Sequence, residues 1–113
     1  MELTDLAGTW IPKYRQATFD VTPFHEVKEN TMATIVINED GISGHMERRK
    51  MFGRIAREEI VIAMTGDPNM AIIMQPETRV MMLAMIDEDG KLVTKWDAPM
   101  KSLNDMCVVY ERK

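Results

Sequence analysis

Short runs of apolar and β-branched residues recur along this chain, each closed by Gly, Asp, Asn or Pro, which is the pattern of an antiparallel β domain. The clearest run is EIVIAMT, Glu59–Thr65, stopped by the turn GDPN and answered by MAIIM, Met70–Met74. After QPET comes RVMMLAMI, Arg79–Ile86, and then KLVTKW, Lys91–Trp96, across the turn DEDG. Upstream, TMATIVI at Thr31–Ile37 and a return strand from Ile42 to about Glu47 flank NEDG, so the same turn chemistry is used twice. Thr9–Arg15 predicts a first strand, with Pro12 at an edge or bulge, and MCVVYER, Met106–Arg112, a last one. RRKMFGRIAREE suits a short helix by propensity, but Gly53 interrupts it and a strand and turn are expected instead.

This gives eight or nine strands in meander order. Neighbours joined by hairpins pair antiparallel, and a meander of eight can close on itself and remove its edges. The expected fold is therefore all-β, a closed antiparallel up-and-down barrel of about eight strands. At 113 residues the chain is expected to form one domain. The longest connection without a clear period is QATFDVTPFHEVKEN, which could form a lid or part of the wall.

Alternation distinguishes the strands. KLVTKW sets Leu92, Thr94 and Trp96 against Lys91, Val93 and Lys95, whereas RVMMLAMI is apolar on both faces. EIVIAMT and MAIIM share that two-sided character, so these three strands form a broad apolar wall whose outer surface needs a cover. A homo-oligomer, such as a dimer, through this wall is the expected arrangement.

Composition narrows the function classes. Net charge is −4 with 18 acidic and 14 basic side chains, so no nucleic-acid partner is expected. No apolar run is long enough to span a bilayer and no leader-like start is visible, so a cytoplasmic protein with no membrane partner is expected. The single cysteine, Cys107, forms no internal disulfide and is expected to behave as a small buried hydrophobe. Twelve methionines are unusual, and flexible thioethers suit either a loosely specified core or an adaptable pocket.

One short motif extends this reading. The stretch LAGTW puts Gly8 two residues before Trp10 at the start of the first strand, and the last strand ends with VVYERK, including Arg112. This combination resembles the calycin superfamily of lipocalins, fatty-acid-binding proteins and avidins. The resemblance implies that Trp10 packs across the closed end of a barrel, with Arg112 lying over its ring and Gly8 permitting close backbone approach. It departs from fatty-acid-binding proteins where they carry an Arg two residues before the last-strand Tyr, because Val108 stands there before Tyr110. A carboxylate clamp is not expected. The short chain also implies a small pocket, partly filled by methionine.

Chemistry is sparse. His25 and His45 are the only histidines, no HExxH or CxxC spacing occurs, and neither a metal nor a cofactor is expected. Either histidine beside Glu26 or Glu47, or else Tyr110, is a candidate acid–base group. Candidate ligand-binding residues are Tyr14, Phe24, Met32, Met64, Met74, Arg79, Met82, Trp96 and Tyr110. The expected function is binding of a small, mostly apolar molecule inside the barrel. Two alternatives stay open: a small barrel enzyme of cyclase, isomerase or reductase type, and a protein-interaction module whose barrel is simply filled.

Overall fold

In the computed structural model, which describes residues 1–16, 25–26, 33–49, 53–97 and 107–113, the chain is almost entirely β. A 3-10 helix at Leu3–Leu6 precedes β1 (Gly8–Gln16), β2 (His25–Glu26), β3 (Thr34–Ile37), β4 (Ser43–Arg49) and β5 (Ile55–Met64). Then follow β6 (Ala71–Gln75), β7 (Val80–Ile86), β8 (Leu92–Asp97) and β9 (Cys107–Arg112). Strands β3 to β9 pair antiparallel in sequence order, β1 pairs with β3, and β9 returns to β1 over Trp10↔Arg112 to Gln16↔Cys107. The result is a closed antiparallel up-and-down barrel of eight strands, with the two-residue β2 pairing with β1 beyond the end of β3. Among the described residues no helix is long and apolar enough to cross a membrane.

The turns explain the order of the strands. Asp40 accepts hydrogen bonds from the backbone N–H groups of Ile42 at 3.0 Å and Ser43 at 3.2 Å, and these hold its carboxyl below the usual range. Between β7 and β8 the Asp87 carboxylate accepts from the N–H of Asp89 at 2.9 Å and of Lys91 at 2.8 Å. Such Asx turns replace backbone partners lost where the chain reverses. Gly41 adopts φ 73° against the Leu3 carbonyl, where a Cβ would clash with backbone, so this hairpin tip is fitted to the N-terminal helix.

Alternation along the strands sorts side chains into an inner and an outer set. Ile35 and Ile37, Ile60 and Ile62, Ala71 and Ile73, and Met82 and Ala84 point inward and are buried, joined by Trp10, Leu92, Val108 and Tyr110. An eight-strand barrel is just wide enough for side chains to fill it, and these inward side chains are buried from solvent. Outside, a second cluster buries Val93, Cys107 and Val109, with Tyr14 and Met85 packed against them. The apparently clean alternation of KLVTKW thus hides a covered outer position at Val93, which packs with Cys107 and Val109 of β9.

Two element boundaries differ from the sequence expectation. β4 runs on to Arg49 and β5 begins at Ile55 rather than Glu59, so the described part of RRKMFGRIAREE is strand, as favoured over helix. Cross-strand pairing with β4, from Glu47↔Arg57 to Arg49↔Ile55, overrides the helical propensity of AREE.

Candidate functional site

One end of the barrel is sealed by a small set of interlocking contacts. The Trp10 indole N–H donates to the Leu6 carbonyl at 2.8 Å, fixing the ring beneath the 3-10 helix. Arg112 lies over that ring, its guanidinium carbon 4.4 Å from the centroid, and donates to the carbonyls of Ala7 at 2.7 Å and Asp5 at 2.8 Å. Gly8 sits at φ 130°, where a Cβ would come within 3.3 Å of the same guanidinium. Gly, Trp and Arg therefore occupy the positions expected from the motif, each satisfying a need created by the others.

Tyr110 lies just inside this seal, almost fully buried opposite Leu92 and Pro12. Burial pushes its phenol up to about 12, a hydrogen bond with Thr94 only partly opposing the shift. A phenol held neutral this firmly is a poor base at neutral pH. Cys107 is fully buried in the outer cluster, and desolvation raises its thiol against the opposing charge of Lys95.

The opposite end has a different character. Along β6 the inward series Ala71, Ile73 finishes in Gln75, a buried amide. Its Oε1 accepts from the Thr78 hydroxyl at 2.8 Å, which turns the NH2 group inward, where Nε2 lies 3.1 Å from the Met46 sulfur. Glu58 shares the inward side of β5 opposite Met46 and is half-buried. Apolar interior thus gives way to an amide, a carboxylate and a thioether at this end. A thioether is a weak acceptor, so the amide N–H can be drawn to a better one.

The remaining sequence candidates are dispersed. Met82 is buried in the interior, and Trp96 occupies the register position beside it. Tyr14 faces outward instead, since the irregularity between Pro12 and Tyr14 shifts the alternation of β1, and it packs with Val109 and beneath Lys91, whose ammonium is 5.7 Å from the ring. Met74 also faces out, its parity set by Ile73 pointing in. Arg79 occupies an exposed turn with φ 59°, and Met64 pairs with Ala71 at the sealed end, 37% exposed. Tyr14, Met74 and Arg79 do not join the interior lining, whereas Met64 shares the inward side of β5 with Ile60 and Ile62 at the sealed end.

His45 is on the outer face of β4, with Nε2 2.9 Å from Glu47 Oε1, an oxygen that Arg57 also engages at 2.8 Å. His25 pairs with Arg15 on β2, far from His45 in the strand order. Phe24 and Met32 lie outside the described residues. Among the described residues no three His, Cys, Asp or Glu side chains converge as a metal site.

Gln75, Met46 and Glu58 were not legible as candidates. The signal that finds them is parity counted from the turns: once Ile73 is inward, so is Gln75, and its cross-strand neighbours follow. Set against known proteins, the chain matches no family model, no curated protein and no solved structure.

Proposed function

We propose that this protein is a calycin-like barrel that binds a small, mostly apolar molecule non-covalently at the end opposite the Trp10 seal. The observation that carries the reading is the buried Gln75 amide, oriented by Thr78 with its N–H on a weak thioether acceptor. A ligand with one carbonyl or hydroxyl oxygen can replace the Met46 sulfur as that acceptor, while its apolar part lies against flexible thioether and aliphatic groups. The filled interior below restricts the ligand to a small one. The arrangement of Gly8, Trp10 and Arg112 supports the calycin-like reading, because it is the packing that the sequence resemblance implies.

Binding is favoured over turnover by the placement of Tyr110 and His45, the two acid–base candidates whose side chains are described. The interior phenol is held neutral, and the His45 pair faces away from the barrel axis. A second reading, an interaction module with a filled barrel, draws on the outer faces of β5 to β7, where Val61, Ile72, Met74, Met81 and Leu83 stand in register.

A fluorescent probe, anilinonaphthalene sulfonate, separates the two. The binding reading expects saturable 1:1 fluorescence that weakens about tenfold in Gln75→Leu, one charge-assisted or strong hydrogen bond being worth about that much. Unchanged probe binding in Gln75→Leu together with its loss in Leu83→Lys overturns the reading in favour of the outer wall. Native mass spectrometry of protein purified from its own host then identifies what the barrel holds.

A further inference from the structure

Gln75 and Glu58 set a hydrogen-bond donor and an acceptor on either side of one thioether. Gln75 is only 8% exposed, and the turn after β6 holds it at two points. The Arg79 N–H donates to its backbone carbonyl at 2.8 Å, and the Thr78 hydroxyl donates to its Oε1 at 2.8 Å. With Oε1 held in this way the amide cannot turn over, so its NH2 group is what meets the Met46 sulfur, 3.1 Å from Nε2.

Met46 in turn stands directly opposite Glu58, in a register that runs without irregularity from Ser43↔Val61 to Arg49↔Ile55. Opposed side chains of an antiparallel pair have Cβ atoms about 5 Å apart, so amide and carboxylate both reach the Met46 side chain. Glu58 lies on the side of β5 that buries Ile60 and Ile62 and is itself half-buried. Val80, paired with Gln75 and on the same side of β7 as Met82, adds an aliphatic wall. The sulfur between the two polar groups suits neither, being a weak acceptor and no donor at all.

We propose that the molecule bound at this end is an uncharged amphiphile whose head group both accepts and donates hydrogen bonds, a carboxamide being the best match. This rests on the binding proposed above and names its ligand class. The carbonyl oxygen of such a head takes the Gln75 N–H, its own N–H donates to Glu58, and the unbranched Met46 side chain moves against the apolar tail. Other heads satisfy half of the pair. A carboxylate accepts from Gln75 but meets Glu58 with like charge, a repulsive element that rejects it. An ester accepts and cannot donate, which leaves the half-buried carboxylate covered and unpaired. An ammonium donates and leaves Gln75 on sulfur. Arg48, the next residue on this side of β4, is exposed, and the ion pairs of the described residues do not join it to Glu58.

The test titrates the full chain, followed by NMR, with four six-carbon probes: hexanamide, hexanoate, methyl hexanoate and hexylammonium. Hexanamide is expected to bind about tenfold more tightly than hexanoate or the ester, the worth of one hydrogen bond to a charged group. Glu58→Gln should split the probes by sign. Hexanamide loosens about threefold, while hexanoate and anilinonaphthalene sulfonate, both anionic, tighten by about the same factor as the repulsion is removed. A change of packing alone would move every probe in one direction. Hexanoate or methyl hexanoate equalling hexanamide, hexylammonium exceeding it, or an unchanged ranking in Glu58→Gln overturns the proposal. Should Glu58→Gln lose its near-ultraviolet circular dichroism, the ranking in the wild type decides alone. Failure of the binding reading itself looks different: Gln75→Leu then leaves every probe untouched, or none of the four binds and both fall. Gln75→Leu weakening all four probes without any ranking among them in the wild type removes only the head-group class.

Discussion

Arg112 joins the two ends of the chain through three contacts: the indole face of Trp10 and the carbonyls of Ala7 and Asp5. Charge-assisted hydrogen bonds to backbone oxygens are stronger than neutral ones, though solvent exposure reduces them here. Arg112→Met is expected to lower stability by about 2 kcal/mol, the sum of a lost cation–π contact and two partly exposed hydrogen bonds, read as a lower urea midpoint at unchanged slope. Tyr110 makes a different prediction. Its folded phenol is pushed up to about 12, above the ordinary value of 10.0, so the folded state holds its proton more tightly than the unfolded chain. The stabilisation is complete below pH 10 and is lost as pH rises toward 12, at about 1.4 kcal/mol per pH unit. Urea titrations across that window should show this decline in the wild type and lack this component in Tyr110→Phe. An equal decline in the variant would place the alkaline sensitivity elsewhere.

At the level of strands, β7 tests the register directly. Met82 and Met81 are adjacent and chemically identical, but Met82 is buried between Ile73 and the Trp96 position while Met81 is half-buried on the outside beside Met74. Met82→Lys should abolish cooperative folding, because it places an unpaired charge in a filled interior, whereas Met81→Lys should shift the thermal midpoint by only a few degrees. Circular dichroism melts of the two variants compare them. The contrast also shows where the sequence was informative. Turn residues such as Asp40, Gly41, Asp87 and Gly90 carry their own conformational chemistry, so strand positions and hairpin order could be read from them. The seal was legible for a similar reason, since Gly8, Trp10 and Arg112 form a motif with a physical rationale. Faces were harder. RVMMLAMI is apolar at every other position on both sides, so no alternation signal chooses between Met81 and Met82. Along β1 the irregularity after Pro12 reverses the facing of Tyr14, and no residue type announces it. Gln75 was missed because an isolated amide next to a turn looks like surface until its neighbours' parity is known.

For the molecule as a whole, the outer face of β5 to β7 is the feature the barrel's own architecture does not explain. Closure removes free edges, and the filled interior supplies a core, so apolar side chains outside add nothing to either. Two registered rows cross these strands: Val61, Met74 and Met81 in one, Ala63, Ile72 and Leu83 in the other. Val61 is 39% exposed and Ala63 is also exposed, while Ile72, Met74, Met81 and Leu83 are half-buried. On the far side of β7 the character changes, because Val93, Cys107 and Val109 are buried within the same chain. The exterior is therefore covered over β8 and β9 and bare over β5 and β6. If a second copy covers the bare part, it does so through the same patch on both subunits, as a two-fold dimer requires. A single lysine in that patch would then be introduced twice, once from each copy and close to the axis, so its cost is doubled by symmetry. Light scattering behind size-exclusion chromatography is expected to give a dimer mass for the wild type and a monomer mass for Leu83→Lys, with the monomer keeping its native circular dichroism spectrum. A wild-type monomer at high concentration would show that water alone meets this wall. The buried thiol gives an internal control, because Cys107 belongs to the covered cluster and not to these rows: its reaction with a disulfide reagent should stay slow in the wild type and in Leu83→Lys alike and become fast only in denaturant.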